Sequence, residues 1–280
     1  MAEATHHTNV DRGPVAGPRV HPLSVVTLAF VFLFLLIVVT LLVTDLLYIQ
    51  RTPMPKKVAW GAILAAVKLS AITSACTLVL VVVFAIPMGY ALSRYRFRGI
   101  VVVDTLVDLP IVLPPLVIGV SLLVFFSTSL GQWIESTGLK FVYTVPGIVL
   151  CQFLVSASYG VRAATAAFDG VDRRLEQLAL TLGCTPWQAF TRVALPVARN
   201  GIVAGAIMAW ARAVGIFGPL MIFCGSVRYK TEVMPTSIYL ELSIGNVEVA
   251  LAVALVMVGL AAVALVAIHA LAPGQRWWAR

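Results

Sequence analysis

A chain of 280 residues that is 60% hydrophobic and 11% charged, with a mean hydropathy of +0.98, lacks the polar side chains to cover a soluble domain; such domains carry roughly 25% charged residues. It reads as an all-α integral membrane protein, and its formal charge of +8 then marks basic loops on one side of a bilayer, not nucleic-acid binding. Cys76, Cys151, Cys184 and Cys224 show no CxxC or Cys/His spacing, which argues against a disulfide framework and against a metal site.

Residues 1–22 are polar, hold Pro14, Pro18 and Pro22, and read as a disordered tail without a signal peptide. A span needs about 20 apolar residues. Six stretches within a transmembrane domain of residues 23–272 supply them: residues 23–48, 58–92, 105–126, 145–168, 201–223 and 247–271. The second carries Pro87 and Gly89 near its end, then the basic run Arg94, Arg96 and Arg98. The third holds Pro110, Pro114 and Pro115, which break the backbone ladder inside a span and belong beside neighbours or a cavity that satisfies the freed groups. The fourth is rich in small residues and suits close helix packing, as does the pair Gly201 and Gly205 opening the fifth. Residues 228–245 read as a short interfacial or re-entrant helix, with Glu232, Glu241 and Glu248 as solvated outer residues. The tail, residues 273–280, ends on Trp277, Trp278 and Arg280, an interfacial anchor.

Between the fourth and fifth spans lies the one long polar segment, a helical hairpin over residues 171–197. Leu175, Leu178, Ala179 and Leu182 fall at i, i+3, i+4 and i+7 and form an apolar stripe. Gly183 stands where a helix C-cap takes positive φ, Thr185 can cap the next helix, and Pro186 suits its first turn. Leu195 and Pro196 close the unit. The stripe is expected to pack on the membrane domain, leaving Arg173, Arg174, Glu176, Gln177 and Thr181 to face a soluble partner. Counting loop cations puts twelve basic residues, Arg162 among them, on the hairpin's side and six on the other. This predicts both termini and the hairpin in the cytoplasm.

The hairpin resembles the cytoplasmic signature of permease subunits of ATP-binding-cassette importers, the MetI-like transmembrane domain. That signature runs Glu-Ala-Ala, three residues, Gly, nine residues, Ile, one residue, Leu-Pro. Gly183, Val193, Leu195 and Pro196 match in register, and Gln177-Leu178-Ala179 stands at the triplet with Ala179 as its matching residue. DLPIVLPPLVIG in the third span and RAVGIFG in the fifth resemble the corresponding motifs of the molybdate, tungstate and sulfate permeases. The resemblance implies six transmembrane helices with a coupling-helix hairpin between spans four and five. It also implies a homodimer, two cytoplasmic ATPase subunits docked on the hairpin, and a substrate-binding protein outside. An oxyanion is the implied cargo, with thiamine, iron and phosphate as alternatives.

No phosphate-cradling GxxxxGK[ST] run is present, so ATP is expected to be hydrolysed by another chain, and no cofactor is expected in this one. Arg212 is the sharpest single residue. A charge within a span costs about 2.5–3.5 kcal/mol or more unless it finds a partner. The resembled motif carries Glu four residues later, where this chain has Ile216. Arg212 therefore either bonds broken backbone or faces the translocation path. Gly215, Phe217 and Gly218, with Pro110, Pro114 and Pro115, are the other path or gate candidates. A secondary transporter would instead need inverted repeats and intramembrane carboxylates, and Asp45, Asp104 and Asp108 lie near span ends.

Overall fold

The computed structural model describes residues 22–51 and 60–271, and every regular element among them is helical. The expected tails, residues 1–21 and 273–280, lie outside the described residues. Helix α1 (Pro22–Arg51) is a unit of its own, predominantly apolar, with Asp45 and Arg51 near its end.

The second unit contains α2 (Trp60–Arg94), α3 (Ile100–Val112), α4 (Pro115–Ser127), α5 (Ser129–Ser136) and α6 (Val145–Asp169). The hairpin follows as α7 (Arg173–Thr181) and α8 (Pro186–Ala189). Next come a π-helical turn (Phe190–Ala194), α9 (Leu195–Val214), α10 (Gly218–Phe223), α11 (Met234–Ile244) and α12 (Val247–Leu271). Among the described residues, five helices are long and apolar enough to cross a membrane, and the bent pair α3 and α4 brings the number to as many as six.

Helix α6 is the centre of this unit, packed between α2 and α9. Its small residues let the backbones close up. A Cβ on Gly205 would collide with Ala163 Cβ, and one on Gly89 would sit 2.6 Å from Ala164 Cβ. Without a hydrophobic driving force between helices in lipid, this close approach is what dispersion needs. Buried polar groups add to it. Thr77 donates to Gln152 Oε1 at 3.0 Å across the α2–α6 seam, and Trp210 Nε1 on α9 donates to Ser74 Oγ at 3.3 Å.

Two spans depart from the plain helices expected. The third breaks between α3 and α4 with a bend of 111°. Leu113 precedes a proline and is pushed to extended backbone (φ −65°, ψ 137°), while Pro115 sits in the first turn of α4 where its missing N–H costs nothing. The fifth was expected over residues 201–223. Instead α9 starts at Leu195, continuing from the hairpin's second arm, and stops at Gly215; α10 is a separate short helix. Leu195 and Pro196 thus do not close the hairpin. Pro196 has no N–H to give, and the chain widens before it, Leu195 N–H reaching back to Phe190 O in an i→i−5 bond. Residues 127–144, between the third and fourth expected spans, contain α5.

Candidate functional site

The hairpin's turn is built from local chemistry. Gly183 takes φ +86°. Gly183 N–H bonds Leu180 O and Cys184 N–H bonds Ala179 O, both at 3.0 Å, the double closure of a Schellman turn. Thr185 Oγ1 then accepts from Gln188 N–H while Gln188 Oε1 accepts from Thr185 N–H, a capping box.

How the hairpin sits on the bundle reverses the expected orientation of its first arm. Leu175, Leu178 and Leu182 are exposed, Leu182 at 85%, and Trp187 on the second arm is 71% exposed. Ala179 and Glu176 are the buried residues of α7. Glu176 does not face outward. It accepts from Arg94 Nε at 2.8 Å and from Tyr90 Oη at 2.7 Å, and Arg94 Nη2 also donates to Val171 O at 3.0 Å. The arginine and glutamate side chains are 8% and 12% exposed. The register of α7 is set by this ion pair, so the leucine stripe turns away from the bundle. Arg173 Nη2 donates to Ser93 O, a further tie to α2. Arg174, Gln177 and Thr181 remain exposed, and Leu195 and Pro196 lie on α9.

Arg162 is not a loop cation. It lies within α6, where it meets Asp108 through Nε and Nη2 and Asp104 Oδ1 through Nη1 at 2.7 Å. It thus bolts α3 to α6 and drops out of the earlier count of loop cations. The carboxylates at i and i+4 of α3 share one face, and a cation in reach was the signal the sequence offered. Tyr90 and Arg94 were missed because their partner lies more than 80 residues on.

At the opposite end of the bundle, the structure brings the two broken spans together. Gly119 on α4 lies against the backbone of Pro219, and Leu116 lies beside Gly218. Ile118, Leu122 and Phe126 share a buried cluster with Ile216, Leu220 and Phe223. Pro114 and Pro115 thus belong with Gly218 and Pro219. Pro110 stays inside α3, beside Phe84 and Phe153. Gly215 is exposed, and the Phe217 ring packs on Tyr239 with centroids 5.2 Å apart.

Arg212 stands near this break. Its guanidinium lies 5.8 Å from the Tyr159 ring centroid, and its Nε is buried with no hydrogen-bond partner among the described residues. No carboxylate pairs with it among them. Of the three outer glutamates expected in solvent, Glu248 is half-buried and the other two are buried. Glu241 is 5% exposed and held by Arg228 and Asn246, and Glu232 is 3% exposed with Oε2 unpartnered.

A multi-pass helical bundle with one polar hairpin locked to it, and two spans broken side by side at its other end, is the membrane subunit of a transporter. The chain belongs to the family described as binding-protein-dependent transport system inner membrane component, whose pattern matches residues 81–277. It is 38% identical over 210 residues to a probable molybdenum ABC transporter permease protein of Haloferax volcanii, covering 75% of this chain and 76% of that one. It is 32% identical over 247 residues to the sulfate transport system permease protein CysT of Escherichia coli, covering 88% and 89%. The molybdate/tungstate permease WtpB of Thermococcus kodakarensis is 39% identical over 160 residues, covering 57% and 60%. In fold it resembles the crystal structure of a bacterial ABC transporter for alginate, with a TM-score of 0.70 at 17% identity over 91% of this chain and 96% of that one. This chain is therefore an ABC importer permease subunit, a multi-pass membrane protein similar in sequence to molybdate, tungstate and sulfate permeases.

Proposed function

We propose that the chain forms the path of an ATP-driven importer for a tetrahedral oxyanion, molybdate or tungstate before sulfate. The cargo reading is supported by the named substrates of its relatives and by Arg212, a span cation whose Nε has no partner among the described residues. A half-buried guanidinium with a buried, unbonded Nε favours a fully ionised oxyanion that brings its own acceptors. Arg212, Gly215, Phe217 and Gly218, with Pro110, Pro114 and Pro115, are the path or gate residues in this reading. The length of the CysT match keeps sulfate as the second reading.

Coupling rests on the hairpin. Its outward face is apolar at Leu175, Leu178, Leu182 and Trp187, while Glu176 and Arg94 hold it rigidly to α2. Such a face fits the groove of a cytoplasmic ATPase, and Arg173, Arg174, Gln177, Ala179, Gly183, Leu195 and Pro196 shape or flank it. Two copies of the chain would pair, with two ATPase subunits at the hairpins and a binding protein at the other end. Both termini would be cytoplasmic. The observation that carries the coupling reading is this exposed leucine stripe on a rigidly anchored hairpin.

The test is uptake into proteoliposomes holding the chain, its ATPase and its binding protein. Molybdate should be taken up with ATP, and a tenfold excess of sulfate should compete weakly. Equal competition by sulfate would transfer the assignment to sulfate. ATP hydrolysis that ignores both oxyanions would remove it.

A further inference from the structure

The seam between α2, α3 and α6 holds two cavities in series. At the hairpin end is a polar one of about 340 Å³, lined by Ser93, Arg96, Asp104, Arg162, Thr165 and Arg173. On the next turns of the same three helices lies an apolar one of about 370 Å³, lined by residues such as Met88, Leu106, Val107, Leu154, Ala157 and Val161. Val161 lines the second and Arg162 the first, so the change from apolar to polar falls within one helical step.

We infer that this seam binds an anionic phospholipid, its headgroup phosphate in the polar cavity and an acyl chain in the apolar crevice. Unspent guanidinium donors argue for it: Asp104, Asp108 and Asp169 match the three arginines in number but not in reach. Arg162 is saturated by Asp104 and Asp108, and Asp169 accepts from Ser93 Oγ at 2.6 Å. Arg173 spends one nitrogen on Ser93 O and keeps others free. Arg96 makes no ion pair and no hydrogen bond among the described residues. Two guanidiniums therefore reach the cavity with donors to spare, and no carboxylate answers Arg96. The loop that carries Arg96 alternates cations with exposed aromatics, Tyr95 at 59% and Phe97 at 45%. That is an interfacial pattern. Basic cavities between spans beside apolar grooves are where anionic lipid headgroups settle. A free oxyanion would use the polar half alone and leave the crevice without a role.

The test uses the full-length chain in nanodiscs, with phosphatidylglycerol or phosphatidylcholine of identical acyl chains and bound lipid counted by native mass spectrometry. The wild type should retain phosphatidylglycerol in preference. Arg96→Gln, at an exposed loop position, should lower that preference about fivefold, the effect of one cation near an anionic headgroup. Ala157→Trp, which fills the crevice, should reduce retention of both lipids. Circular dichroism melting confirms that each variant is folded, and the Arg96 result stands alone if the tryptophan variant is not. An unchanged preference in Arg96→Gln overturns the proposal. So does displacement of the lipid by millimolar inorganic phosphate with no effect of Ala157→Trp, which would assign the cavity to a free tetrahedral anion.

Discussion

Arg94 and Arg212 are two arginines at opposite ends of one bundle, and they are held in opposite ways. Arg94 spends its donors on Glu176, Ser93 Oγ and Val171 O. Arg212 has an aromatic face beside it and a buried Nε with no partner among the described residues. A buried cation with every nitrogen engaged is a joint, since any motion strands a charge. A half-buried cation with a donor unused has a place for something that arrives and leaves. In the proposed reading, the first belongs to the part of the chain that transmits force and the second to the part that meets cargo.

Removing the partner from the joint should have the largest effect. Glu176→Ala leaves Arg94 buried and uncompensated, a loss of about 3–5 kcal/mol for pairs of this kind. Thermal unfolding should drop, and co-purification of the ATPase should drop with it because α7 loses its register. An unchanged melting profile would show that Arg94 finds another acceptor and that the joint is not one. Arg212→Gln should give the reverse pattern. Hydrogen bonds to charged groups are worth about 1.5–3 kcal/mol, so uptake should fall at least tenfold while stability holds or rises, since a costly intramembrane charge is gone. Normal uptake by a well-inserted variant would place Arg212 outside the path.

The contrast between these arginines also marks how far the sequence could be read. Composition and periodicity located the spans, because an apolar run announces itself whatever its neighbours are. The turn of the hairpin was legible for a similar reason: Gly183, Thr185 and Pro186 act on backbone within a few residues. Orientation was not. Leu175, Leu178, Ala179 and Leu182 define a stripe, yet which side of α7 is buried was decided by Arg94, far away in the chain. In a membrane subunit an apolar face can seek a soluble partner as readily as its own core, so amphipathicity alone has no sign. The span breaks were half legible. The prolines foretold a disruption in the third, but nothing local showed that α4 would turn by 111° to meet α10.

Between the two ends, the α6–α9 contact is the lever that would carry motion from hairpin to break. Gly205→Val would drive a side chain into Ala163. Overpacking of this kind costs typically about 1–3 kcal/mol. Unfolding temperature should fall by less than in Glu176→Ala, and uptake should fall without loss of ATPase binding. Loss of ATPase binding here would mean that the hairpin is positioned through α9 as well as through Arg94.

The smallest effect is expected at a carboxylate that makes the comparison sharper, because Glu135 and Glu176 are the same residue held by different means. Glu176 is buried against a guanidinium. Glu135, in α5 outside the spans, takes backbone N–H bonds from Phe141 at 2.8 Å and Val142 at 3.0 Å. Those bonds, Val142 first and Phe141 next, favour the ionised form and hold its pKa below the ordinary 4.5. A depressed folded pKa contributes stability that is present above the unfolded value and lost as pH falls through the folded one. Glu135→Gln should therefore melt slightly below the wild type at pH 7, and the gap should close as pH drops below about 4.5. Other carboxylates titrate in both variants and cancel in the difference. A gap that stays constant down to pH 3 would show that the amide, not the charge, is what the two N–H groups miss, and that solvent already screens this loop.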